Sequence, residues 1–142
     1  DLAGRKVARN GGVFMQVFID EMRRTLAAAN AVESIAAEAR ETARVIALLD
    51  DVTRELVAAA GKDANAIGAA SVDYLELTGL VTYSWLWLRM MAIAAGKGDD
   101  AYYAAKLATG RFWFQRILPK ADALATQVRS GPATLMDAAT GL

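Results

Sequence analysis

Hydrophobic side chains recur at steps of three and four through most of this chain, and four segments carry that period. From about Gly12 to Ala29, Phe14, Val17, Phe18, Met22 and Leu26 share one side, while Asp20, Arg23 and Arg24 fall elsewhere. The spacing predicts a first helix, capped by Asn10 and carrying an Asp20–Arg24 pair one turn apart. A second helix is expected to open at a capping box, Asn30 with Glu33. Its inner stripe is Ile35, Ala39, Ala43, Ile46, Leu49, Val52 and Leu56, and Glu38, Arg40, Glu41, Arg44, Asp50, Asp51, Arg54 and Glu55 lie mostly off it. Gly61 is placed to end this helix as a left-handed cap, and Asp63 to cap the next.

The third segment breaks the pattern. Within a helix predicted from about Ala64 to Ala95, the stretch Tyr74 to Ala95 is apolar nearly all the way round, with Leu80, Val81, Tyr83, Leu86, Trp87, Leu88, Met90 and Met91 pointing in most directions. Such a helix must be covered on most sides. The run from Leu77 to Ala95 is long enough to cross a bilayer, which takes about 20 residues. Arg89 inside it, with Thr78, Thr82 and Ser84, argues against insertion and for the central helix of a bundle. A bundle cannot turn every side of this helix inward, so an outer apolar patch that includes Trp87 is expected to meet a partner.

Gly96-Lys97-Gly98-Asp99-Asp100 then supplies a C-cap, a turn and an N-cap, so the third and fourth helices should form an antiparallel hairpin. With the turn centred near Lys97, Trp85 should face Gly110. The fourth stripe is Tyr103, Leu107, Gly110, Phe114, Ile117, Ala121, Leu124 and Val128. Its phase continues across Pro119, which predicts a kink there and not a stop. Ser130-Gly131-Pro132 closes that helix. The expected fold is all-α, an antiparallel up-down four-helix bundle over residues 1–131, with residues 1–11 an irregular segment and 132–142 a tail.

Composition narrows the chemistry. The chain has 142 residues, enough for one domain with a real core. Its 16 basic and 16 acidic side chains cancel, which leaves no electrostatic footprint for nucleic acid. It contains neither cysteine nor histidine, so thiol nucleophiles, thiolate or imidazole metal sites and histidine bases are excluded. Only a carboxylate, lysine or tyrosine could carry protons. The polar start, Asp1 to Asn10, lacks the apolar core of a secretion signal, and a cytoplasmic setting is expected.

Few residues stand out as chemical candidates. Trp85, Trp87 and Trp113 could stack on a nucleotide ring, but aromatic residues on packed helices belong first to a core or an interface. Lys106 and Arg111 could meet a CoA phosphate, against a solvated or ion-paired role. Asp73 and Glu76 could be pocket acids, against ion pairing with Lys120 or with arginines across the hairpin.

Two stretches carry a resemblance. Tyr-Leu-Glu-Leu-Thr-Gly-Leu-Val-Thr-Tyr-Ser-Trp-Leu-Trp-Leu-Arg-Met (74–90) and Tyr-Tyr-Ala-Ala-Lys-Leu-Ala-Thr-Gly-Arg-Phe-Trp-Phe-Gln-Arg-Ile-Leu-Pro (102–119) resemble the acetyl-CoA dehydrogenase-like C-terminal domain that extends a bacterial subgroup of acyl-CoA dehydrogenases. The opening Asp-Leu-Ala-Gly-Arg-Lys, with Gly11-Gly12 after it, is similar to the segment just downstream of that family's catalytic region. The resemblance implies that the flavin site, the acyl-CoA pocket and the glutamate base lie upstream. No catalytic, cofactor-binding or metal-binding residue of the family falls on a matching position here. The implied parent enzyme oxidises acyl-CoA to 2,3-enoyl-CoA with FAD accepting hydride. This chain would be its accessory domain, packed on the upstream dehydrogenase body or supporting a homo-oligomer, without nucleic-acid partners or membrane insertion. A free-standing helical interaction or dimerisation module is the alternative.

Overall fold

The computed structural model describes residues 2–7, 9–30, 32–98 and 100–140. Among them every regular element is helical. Six α-helices follow one another: α1 (Val13–Asn30), α2 (Ala36–Ala60), α3 (Asn65–Ala95), α4 (Ala101–Phe112), α5 (Lys120–Arg129) and α6 (Ala133–Thr140). Short turns join or extend them, a π-helical one at Leu2–Val7, 3₁₀ ones at Arg9–Gly12 and Glu33–Ile35, and a second π-helical one at Trp113–Ile117.

Helix α3 is the hub, packed against α1, α2, α4, α5 and the N-terminal turn. That turn is not the irregular segment expected of residues 1–11, because Ala3 and Val7 are buried in the common core and hold Leu2–Val7 against α3. The final stretch, expected as a tail, contains α6. The buried side chains of α3 include Tyr74, Leu77, Val81, Leu88 and Met91. Two of its buried hydroxyls are satisfied within the helix: Thr78 Oγ1 donates to the Tyr74 carbonyl at 2.8 Å and Ser84 Oγ to that of Leu80 at 2.8 Å. Helix α3 can therefore bury polar residues without the cost of an unpaired group.

In α1 the stripe is rotated from the expected one. Met15, Ile19, Met22 and Leu26 are buried, while Phe14 and Val17 face outward and Phe18 is half-buried. Both phases run through Met22 and Leu26 at steps of three and four, so periodicity alone could not choose between them in the N-terminal half. Asn10 is left-handed (φ 55°) and not the extended residue of an N-cap. Arg24 does not pair with Asp20 but grips Glu21 through two bonds of 2.7 and 3.0 Å.

The capping box at Asn30 and Glu33 does not form. Asn30 is the last residue of α1, and Glu33 opens a 3₁₀ turn led by Val32 without a side-chain bond. The stripe of α2 is otherwise as expected, except that Ala43 is exposed and Thr42, Val45, Asp50 and Thr53 join the buried side. Gly61 ends α2 in a right-handed conformation (φ −69°), not a left-handed one. Asp63 does serve α3, accepting the Asn65 amide at 2.9 Å.

Between α3 and α4, Gly98 takes the left-handed position (φ 67°) and Asp100 accepts the Tyr102 amide at 2.8 Å, while Asp99 lies outside the described residues. The two helices run in opposite senses, since Met91 meets Gly110, Ser84 meets Trp113, and Glu76 meets Lys120. The expected partner of Gly110 was Trp85. The observed register brings Met91 there instead, and a Cβ on Gly110 would lie 2.3 Å from the Met91 sulfur. The chain passes Pro119 as expected. The device is the π-helical turn, in which the Leu118 amide reaches back to the Trp113 carbonyl at 3.0 Å. It also shifts the stripe: Leu118 is fully buried and Ile117, the expected core residue, is exposed.

Candidate functional site

The three tryptophans diverge and do not form a stacking platform. Trp85 turns toward α1, where its Nε1 donates to Thr25 Oγ1 at 2.7 Å and its ring meets Phe18 edge-on with centroids 6.1 Å apart. The Arg89 guanidinium lies 5.2 Å from the same ring centre. Trp113 turns toward α3, with Nε1 donating to Ser84 Oγ at 2.9 Å and Tyr83 against its edge at 5.7 Å. Trp87, expected in the outer patch, is half-buried and packs against the core. Each indole is held by its own protein, the packing role weighed for them above.

The candidate anion contacts are also engaged. Lys106 sits over the Tyr102 ring at 5.5 Å, and Arg111 lies 3.8 Å from Glu38 of α2. Glu76 is hydrogen-bonded to Lys120, the ion pair anticipated for it. Asp73, one turn away, is half-buried on α3. The two cations and the two acids thus do not converge on one cavity.

Among the described residues, three of the cavities show what a small molecule would meet, and in two of them the polar groups are spoken for. A cavity of about 440 Å³ between α2 and α5 is lined by Val52, Glu55, Leu56, Ala66, Val128 and Arg129. Arg129 holds both carboxylate oxygens of Glu55, at 2.6 and 3.0 Å, and this bond draws the Glu55 pKa below its ordinary value. A carboxylate so held is a poor proton acceptor at neutral pH. Near the start of α1, a cavity of about 340 Å³ is lined by Val13, Gln16, Thr53, Arg54 and Val57 among others. There Arg54 is committed to Asp50, and the Thr53 hydroxyl shares a 2.8 Å bond with Tyr74. Burial raises the Tyr74 pKa, so its phenol stays protonated. The third, about 180 Å³, lies at the end of the α3–α4 hairpin between Met90, Ile93, Tyr102, Tyr103 and Lys106.

Asp50 is the most deeply buried charge, 3% exposed, and Arg23 at 2.7 Å and Arg54 at 2.9 Å neutralise it. It ties α1 to α2. Among the described residues no group of three acidic, histidine or cysteine side chains is placed to hold a metal ion. Nor, among those residues, is any helix long and apolar enough to cross a membrane.

What remains unclaimed is surface. Along the outside of α3, Val72, Leu75, Tyr83, Met90 and Ile93 are exposed, Val72 by 73% and Ile93 by 62%. A smaller apolar patch, Val13, Phe14 and Val17, lies on the outside of α1. Sequence reasoning anticipated an outer face on α3 but included in it Trp87, which is half-buried. Gly79 lies on this face, with nothing within 4 Å of the position a Cβ would take.

Comparison with known proteins adds the family context. The family model described as "Acetyl-CoA dehydrogenase C-terminal like" matches residues 18–139. A 3-methylmercaptopropionyl-CoA dehydrogenase of Ruegeria pomeroyi is 35% identical over 150 aligned residues, which cover 97% of this chain and 24% of that protein. The chain therefore spans about a quarter of the length of that relative.

Proposed function

The chain belongs to the acetyl-CoA dehydrogenase C-terminal-like family, and we propose that it is the non-catalytic accessory domain of a flavin-dependent acyl-CoA dehydrogenase. In this reading the parent enzyme oxidises acyl-CoA to 2,3-enoyl-CoA on a body that binds FAD, in the cytoplasm. The present residues stabilise that assembly, either against the body or between subunits. The observation that carries the reading is the uncovered apolar side of α3, set against one cavity whose carboxylate, Glu55, is already bound by Arg129 and another whose arginine, Arg54, is already bound to Asp50. A surface of that kind is suited to a protein contact, since a monomer seldom leaves a large apolar patch in water.

As a scaffold, the domain works as an antiparallel four-helix bundle in which α4 and α5 act as one kinked rod. Support comes from contacts along neighbouring helices. Gly12 near Val57 and Arg23 on Asp50 set α1 against α2 in opposite senses, and Met91–Gly110 with Glu76–Lys120 do the same for α3 and the kinked rod. Rigid rods of this length, from about 27 Å for α1 to about 47 Å for α3 at 1.5 Å per residue, present a long surface with little entropy to lose.

The test is chemical. The purified chain, supplied with FAD, an acyl-CoA thioester and an artificial electron acceptor, is expected to retain no flavin after gel filtration and to reduce no acceptor. Stoichiometric flavin with turnover would place the active site within these residues and overturn the reading.

A further inference from the structure

Helix α6 has no packed side. It is eight residues long, the side chains from Ala133 to Asp137 are all exposed, and among the described residues it packs along no other helix. A helix shorter than about 12–15 residues is marginal in water unless tertiary contacts hold one of its faces. Helix α6 therefore needs a cover, and the apolar side chains to be covered are Leu135 and Met136, 59% and 43% exposed.

The nearest apolar surface begins where α6 begins. The cavity of about 440 Å³ between α2, the first turn of α3 and α5 has Gly131 and Pro132 in its own wall. Its other wall residues include Val52, Leu56, Ala66 and Val128, all of them buried and apolar. Pro132, Leu135 and Met136 stand at i, i+3 and i+4, so the side of α6 that carries the leucine and the methionine continues the side on which Pro132 lines the cavity.

The joint between the two is a single residue. Helix α5 is finished at Ser130, whose hydroxyl and amide both donate to the Gln127 carbonyl, at 2.7 and 3.1 Å. On the other side, the amides of Leu135 and Met136 reach back to the Pro132 carbonyl, at 3.1 and 3.0 Å. Gly131 stands between these two bonded ends, left-handed at φ 72° and with nothing within 4 Å of the place a Cβ would take. Glycine changes its backbone angles there without a steric penalty, so α6 can turn about it as one body.

We infer that α6 is a strap for this cavity, tilting about Gly131 to lay Leu135 and Met136 against Val52, Leu56 and Val128 beside the Glu55–Arg129 ion pair. Covalent continuity selects this occupant over a free one. A tethered segment meets its site at an effective concentration on the order of millimolar, which a separate partner at micromolar concentration does not match. Closed, the strap withdraws the apolar wall from small molecules; tilted back, it opens a site of apolar walls with one ion pair at its side. The inference goes beyond the accessory-domain reading and does not depend on it.

The absence of cysteine makes closure directly measurable on the 142-residue chain. Ala59, exposed on α2, lines the cavity, whereas Ala43, exposed on the same helix, lies about 24 Å further back at 1.5 Å per residue. Ala59→Cys combined with Leu135→Cys or with Met136→Cys should form an intramolecular disulfide under mild oxidation, about tenfold or more faster than the same α6 cysteines combined with Ala43→Cys. The rate should not depend on protein concentration. In the unaltered chain, the methyls of Leu135 and Met136 should show nuclear Overhauser contacts to those of Val52, Leu56 and Val128. Leu135→Ser with Met136→Ser should remove these contacts and speed hydrogen exchange of the α6 amides by about tenfold or more, with the remaining helices unchanged. Cross-linking no faster than with Ala43→Cys would overturn the strap, as would the absence of the methyl contacts. Disulfides formed only between chains would also overturn it, because they would give the cavity to a second copy.

Discussion

Helices α2 and α3 lie side by side and solve opposite problems. Helix α2 keeps its apolar residues on one side and finishes its exposed side with ion pairs made inside the chain: Arg44 with Glu41 and Asp122, and Glu55 with Arg129. Helix α3 buries as continuous a stripe yet leaves a second one, from Val72 to Ile93, in water. Burial of hydrophobic residues needs no explanation beyond the fold, whereas an ordered apolar stripe left outside does. Helix α2 is complete within one chain, and α3 implies a covering surface.

The largest expected effect separates the two sides within one measurement. Leu49→Ala, which empties a fully buried position on α2, should lower stability by about 2–5 kcal/mol in chemical denaturation. Ile93→Ser on the outer face of α3 should change the stability of the monomer by no more than about 0.5 kcal/mol. Comparable losses for both variants would mean that the outer stripe is part of the core.

The next effect probes the packed side of the hairpin. Gly110→Leu places a Cβ 2.3 Å from the Met91 sulfur and 2.7 Å from its Cγ, so it should cost about 1–3 kcal/mol through overpacking. Met91→Ala in the same chain should recover part of that loss in thermal melts. A melting midpoint unmoved by Gly110→Leu would contradict the register of α3 on α4.

The smallest effect concerns the finished side of α2. Arg129 lowers the Glu55 pKa on folding, so the pair contributes stability above the ordinary glutamate range that is lost as the pH falls through the depressed folded value. Glu55→Gln should leave acid stability nearly unchanged and reduce stability at neutral pH, flattening the pH dependence. Since the pair is largely solvated, the change should be small and should shrink further in high salt. A pH profile of Glu55→Gln that overlays the unchanged chain would show that the pair contributes nothing.

How far the sequence could be read follows from the same contrast. In α2 one phase satisfies the apolar residues and most of the charged ones, so its inner side was legible apart from Ala43, which is exposed, and from Thr42, Val45, Asp50 and Thr53, which are buried. In α1 two phases share Met22 and Leu26, and only tertiary packing selects Met15 and Ile19 over Phe14 and Val17. Helix α3 has no dominant phase, so its length and centrality were legible but its outward side was not. The hairpin was expected from the run Gly96 to Asp100, yet its register is set by how Met91 fills the gap at Gly110, which no local signal encodes. The step from Ile117 to Leu118 needed the π-helical turn ahead of Pro119. For the candidate site, the acidic and basic residues were legible as ion pairs where a partner one hairpin away could be named, as with Glu76 and Lys120. The outer stripe required knowing which side of α3 the core had taken.

The most direct test of the account reads the outer stripe itself. Methyl resonances of Val72, Leu75 and Ile93 should broaden in the presence of a soluble paramagnetic agent when the chain is dilute, while the Leu49 methyls do not. The Val17 methyls on α1 should broaden with them. Protection of the α3 methyls would mean that the chain covers this stripe by itself, and equal broadening of the Leu49 methyls would mean that the inner side of α2 is not closed. Either result would contradict the central claim.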